Sequence, residues 1–170
     1  VEDLVEVWTY DKAFSDTTQA VDSHAYQLDM GSGLTRIQST ADGETSFISQ
    51  QKSDNLDAYK DLSGNANAVA ADVKDLVEVY TYKLASELTS SSNADSHAFQ
   101  YDGVRGETRI KSINVDDATD ISFLKQQRST DQSIFDALSG TTGETVEDLV
   151  EVWTYDKAFS DTTQAVDSHA

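Results

Sequence analysis

The chain has 170 residues, 38% of them hydrophobic, and sets 31 acidic against 12 basic side chains for a formal charge of −19, with neither cysteine nor proline. Without thiols there is no disulfide framework, thiolate metal site or cysteine nucleophile, and metal ligation falls to His, carboxylate and backbone oxygen. So negative a chain repels phosphate backbones and anionic lipid, while the absence of a long apolar run or a leader-like start argues against membrane insertion or a signal peptide, so a soluble fragment of a longer protein is expected, with no nucleic-acid partner.

The first element is DLVEVWTY, residues 3–10, which places Val5, Val7 and Thr9 on one face and Leu4, Glu6, Trp8 and Tyr10 on the other. Its β-branched and aromatic content reads as a strand, and two largely apolar faces predict a central one covered on both sides. Residues 11–21, crowded with Ser, Thr and Asp, read as a surface loop. Residues 25–30 alternate Tyr26, Leu28 and Met30 with Gln27 and Asp29, the pattern of a half-solvated strand. Gly31-Ser32-Gly33 turns the chain, residues 34–40 return as the second arm of a hairpin, and residues 45–51 form a further strand. Ser53 and Asp54 are expected to cap a short helix carrying Leu56, Tyr59 and Leu62 on one stripe, with Gly64 at its end. Residues 66–74 add at most a helical turn or two.

The same series then recurs. DLVEVYTY at residues 75–82 echoes DLVEVWTY, Asp95-Ser96-His97-Ala98-Phe99-Gln100 echoes Asp22-Ser23-His24-Ala25-Tyr26-Gln27, and Thr108-Arg109-Ile110 echoes Thr35-Arg36-Ile37. Ser122-Phe123 with Gln126-Gln127 answers Ser46-Phe47 with Gln50-Gln51, and Leu138-Ser139-Gly140 answers Leu62-Ser63-Gly64 after a second helix that Ser129 or Thr130 is expected to cap. Residues 83–94, like 11–21, are polar and diverge freely; 83–89 has the composition of a loop or one helical turn. Finally, residues 1–25 return letter for letter as 146–170, a displacement of 145 positions. The expected organisation is therefore module one at 1–72, a degenerate copy at 73–145, and the start of the next identical unit at 146–170. The expected fold class is α+β and β-rich, with tandem duplicated modules of about four antiparallel strands plus a short helix. A module of roughly 73 residues buries too little surface to be robust alone, so strand sharing between neighbouring modules is the expected remedy.

Three groups of side chains invite a chemical reading. Every histidine, His24, His97 and His169, follows Asp-Ser at a strand start; metal ligation or a pH switch competes there with simple local packing and hydrogen bonding. A contiguous Asp-Ser-His triad is excluded, because strand neighbours point to opposite faces. Glu6 and Glu78 sit on apolar strand faces, and ion pairs of Glu6 with Arg36 and of Glu78 with Arg109 would offset their desolvation. Carboxylates gather in three loops: Asp116, Asp117 and Asp120; Asp54 and Asp57; Asp16 and Asp22. Calcium is the cofactor such loops suit, although none has the EF-hand spacing.

Near-copies in tandem multiply reach or bulk, not a single reactive constellation. The sequence therefore points to a non-enzymatic role: the repeating region of a long extracellular fibre, stalk or surface adhesin that associates with adjacent copies of itself. Its acidic surface would keep it hydrated, also in saline surroundings. The alternative is a multivalent binding module holding calcium or glycan in its Asp-rich loops.

Overall fold

The computed structural model describes residues 4–10, 20–103, 106–140, 142–146 and 149–170. Its strands are β1 (Leu4–Tyr10), β2 (Val21–Asp29), β3 (Leu34–Ala41), β4 (Glu44–Lys52), β5 (Leu76–Tyr82), β6 (Ser96–Asp102), β7 (Glu107–Ile113), β8 (Ile121–Arg128), β9 (Val150–Tyr155) and β10 (Val166–His169). Two helices interrupt them, α1 (Leu56–Ser63) after β4 and α2 (Gln132–Ser139) after β8. The strands form one β-rich sheet in sequence order from β1 to β10, and pair antiparallel wherever the register is described. At the β2–β3 and β3–β4 connections only residues 30–33 and 42–43 intervene, room for a turn but not for a crossover, whereas β4–β5 and β8–β9 pair antiparallel across longer connections that carry α1 and α2.

Local chemistry sets the boundaries. At the β2–β3 turn Gly31, Ser32 and Gly33 all take positive φ, and Asp29 accepts a hydrogen bond from the Gly31 amide at 2.8 Å. Between β3 and β4 only Asp42 and Gly43 intervene, both at positive φ, the two-residue turn whose twist matches paired strands. The helix caps differ from expectation. Asn55, not Ser53 or Asp54, accepts from the Ala58 amide at 2.9 Å, and Asp131, not Ser129 or Thr130, accepts from the Ile134 amide at 3.1 Å. Each cap sits at the last extended residue, where a short side-chain acceptor reaches an amide three residues on. Gly64 and Gly140 end the helices in the left-handed conformation, as expected. Residues 66–74 and 83–89 each contribute one short 3-10 turn, Ala70–Asp72 and Ala85–Glu87.

β1 departs from its expected central position. Among the described residues it stands first in the strand order with a neighbour on one side only, and Leu4, Val5, Val7 and Trp8 are exposed. β5, with nearly the same sequence, lies between β4 and β6, and its ends Leu76 and Tyr82 are buried. Position in the sheet, not composition, separates the two.

Two compact units are present. One comprises Val1–Ser53, Val77–Ala98 and Ile113–Asp120, and the other Asp54–Leu76, Phe99–Ser112 and Ile121–Ala170. In the first, β4 and β5 pair with Phe47 opposite Tyr82, Gln50 opposite Val79 and Gln51 opposite Glu78. The second holds most of the buried apolar side chains, namely Ala58, Tyr59, Leu62, Ala68, Leu76, Phe99 and Phe123. There α1 lies against β6 and β7. Tyr59 meets Tyr101 edge-on at 5.6 Å, Arg109 Nη1 donates to the Leu62 carbonyl at 2.8 Å, and Lys111 Nζ reaches Asp61 at 2.6 Å. In the same unit β8 and β9 pair with Phe123 opposite Tyr155, Gln126 opposite Val152 and Gln127 opposite Glu151.

Candidate functional site

One arrangement is built three times. Trp8 stacks on His24 with ring centres 4.6 Å apart, Tyr80 on His97 at 4.4 Å and Trp153 on His169 at 4.7 Å, all within 10° of parallel. Trp8 with His24 and Trp153 with His169 are direct cross-strand partners, which brings the rings together. Two residues before each aromatic, on the same face, stands a glutamate. His24 Nε2 lies 2.9 Å from Glu6 and His97 Nε2 2.8 Å from Glu78, whereas His169 Nε2 is 4.0 Å from Glu151, which instead accepts from the Ser129 hydroxyl at 2.7 Å. Burial, with the Glu78 carboxylate accepting its hydroxyl at 2.8 Å, holds the Tyr80 phenol well above its ordinary range. Each cluster is an aromatic, an imidazole and a carboxylate, and its evident effect is to lock the register of a strand pair.

This geometry replaces the expected glutamate–arginine pairs. Glu6 lies opposite Tyr26 on β2, and Arg36 lies on β3 opposite Leu28, so a whole strand and a two-residue offset separate them. Arg36 Nε is buried and without a hydrogen-bond partner. Glu78 takes His97 instead, and Arg109 is held by Glu107, by the Leu62 carbonyl and over the Phe159 ring at 4.4 Å. Sequence spacing located each residue on its strand, but not the one-strand separation that forbids the pair.

The loop of Asp116, Asp117 and Asp120 is engaged with its own residues. Asp117 accepts from the Thr119 amide and hydroxyl at 3.0 and 2.7 Å, bonds that hold its carboxyl below the usual range. Asp120 accepts from Asn114 Nδ2 at 3.0 Å, and the Asp116 amide donates to Asn114 at 3.0 Å. Asp57 lies in the first turn of α1, where the exposed amides favour a negative charge, and Asp54 just precedes the Asn55 cap. Asp16 and the side chain of Asp22 lie outside the described residues. Among the described residues no three His, Asp or Glu side chains come together in a metal-sized group.

Two clefts open in the first unit. One, about 350 Å³, is lined by Ser39, Thr45, Tyr82 and the Lys83–Asp95 ion pair, which spans 3.2 Å. The other, about 310 Å³, lies beside Tyr80 and His97 against Ser91, Asn114 and Val115.

Among the described residues, apolar side chains are left open on β1 and β2 and on α2. On β1 and β2, Leu4 is 47% and Tyr26 39% exposed. α2 has no buried residue at all, and its Leu138 is 75% exposed and its Ile134 also exposed. Among the described residues no helix is long and apolar enough to cross a membrane. No known protein family, curated protein or solved structure matches the chain.

Proposed function

We propose that the chain is a structural repeat unit of a long extracellular fibre, stalk or surface adhesin, whose copies join by strand pairing and whose role is mechanical, not catalytic. One observation carries this reading. β9 has the sequence of β1, and it pairs along β8 in the register that β5 adopts along β4, phenylalanine opposite tyrosine and glutamine opposite glutamate in both. A strand that starts one stretch of sequence therefore completes the sheet of the stretch before it, the local rule from which an extended array is made. Lys125 adds to the junction by lying 4.0 Å over the Trp153 ring. The lack of proline and of a spacer-like segment supports a continuous array over beads on a tether. A strongly acidic surface supports solubility at great length.

The test is electron microscopy of chains carrying three or more 145-residue copies. Straight rods lengthening by a constant increment per copy are expected; separate globules joined by variable gaps would remove the proposal.

A further inference from the structure

The two open surfaces match each other, because each has a near-copy elsewhere in the chain that is already covered. The counterpart of α2 is α1, where Leu62, the equivalent of Leu138, is fully buried and its carbonyl accepts from Arg109 of β7. Leu4 and Tyr26 correspond in the same way to Leu76 and Phe99, which are only 2% and 3% exposed. Arg36 corresponds to Arg109, which donates to the carbonyl of Leu62, whereas Arg36 Nε is buried with nothing to bond. Among the described residues, then, no β2–β3-type face covers α2 and no α2-type helix covers β1 to β3.

The backbone of β1 is open in a complementary way. Val152 and Ala170 exchange both backbone hydrogen bonds, at 2.7 and 2.8 Å, so pleat alternation turns the amides of Glu151 and Trp153 toward β8. Their sequence equivalents, Glu6 and Trp8, stand on the first strand of the sheet, with no strand on that side among the described residues. The β8 of a preceding 145-residue copy fits there, since in this chain β8 pairs with the identical sequence in β9.

We propose that neighbouring 145-residue copies of the array occupy both surfaces, with β8 of one copy pairing along the β1 of the next, as β8 does with β9 in this chain, and α2 packing over Leu4, Tyr26 and Arg36 of that next copy, where Arg36 donates to the Leu138 carbonyl. This rests on the reading of the chain as one copy in an array and adds its joint. The interface is heterologous, helix and strand on one side and sheet face on the other, so it propagates without closing. Burying Leu138 and pairing the β1 edge together cover an exposed apolar side chain and an unpaired strand edge, both prone to indiscriminate association.

The experiment lengthens the full 170-residue chain by appending residues 26–52 after Ala170, which completes a second copy of residues 1–52. Leu138→Cys supplies the sole thiol of an otherwise cysteine-free chain. In the 170-residue chain this thiol reacts with a water-soluble maleimide at the rate of a free thiol; in the lengthened chain the rate falls by about tenfold or more, as for a group reached only through local opening. Arg36→Ala in the appended copy restores much of the lost rate. An unchanged rate with the appended strands protected from amide exchange overturns the proposal, and so does their failure to gain protection, because the joint requires them to dock. A thiol already slow in the 170-residue chain overturns it if the slowing persists with Arg36→Ala, because a surface other than the β1–β3 face then covers α2. A slowed thiol together with multi-copy chains that are not rods keeps the joint and removes the fibre; an unchanged thiol with straight rods does the reverse.

Discussion

At the scale of single residues, the His97–Glu78 contact is the best supported of the three aromatic clusters, since its partners meet at 2.8 Å, with Tyr80 bonded to the same carboxylate. His97→Ala removes this contact and the ring stack while Tyr80 still holds the carboxylate, and is expected to cost about 1 kcal/mol of local stability. His169→Ala should cost less, its glutamate lying 4.0 Å away and already engaged by Ser129. Amide exchange along β5–β6 and β9–β10 compares the two directly. Asp117 offers a test in pH. Its folded carboxyl is held below the ordinary aspartate value of 3.8, so its contribution to stability is present above that value and is lost as pH falls through the lowered one. Thr119→Val removes the hydroxyl bond and should move the carboxyl upward in an NMR titration; an unmoved carboxyl would show that the hydroxyl contributes nothing.

At the scale of elements, α1 and α2 share a length and a left-handed glycine end, yet their surroundings differ. Leu62→Ala removes a fully buried side chain and is expected to cost about 2–5 kcal/mol, whereas Leu138→Ala, on an exposed face, should stay within about 0.5 kcal/mol. The glycines separate similarly. A Cβ on Gly64 would come 3.2 Å from the Phe159 carbonyl oxygen, while one on Gly140 meets nothing within 4 Å. Gly140→Ala therefore carries only the left-handed backbone cost of about 1–2 kcal/mol, and Gly64→Ala that cost plus the clash. Denaturant unfolding followed by exchange in each helix ranks them; equal losses would mean that the Phe159 segment yields freely.

For the whole molecule, the formal charge of −19 sets a repulsion that folding concentrates. Raising ionic strength from about 0.01 to 0.15 M shortens the screening length from roughly 30 to 8 Å, so the melting temperature is expected to rise with salt. A melting temperature indifferent to sodium chloride would show that the acidic side chains are too dispersed to repel. Potassium chloride serves as a control, since screening depends on charge and not on the identity of the ion.

Much of the architecture was legible because strands and turns are local. Alternation in DLVEVWTY, glycine at Gly31, Gly33, Gly64 and Gly140, and the order of elements all follow from backbone sterics and periodicity within a few residues. The Asp42-Gly43 turn and the aspartate and asparagine caps were equally present in the letters. What the letters did not contain is which neighbour each strand has. Glu6 meets His24 and not Arg36 because β2 lies between them, and β1 and β5 carry nearly one sequence but stand at the margin and in the interior of the sheet. Burial and pairing depend on residues distant in sequence, and so identical segments acquire different environments only once the chain has folded.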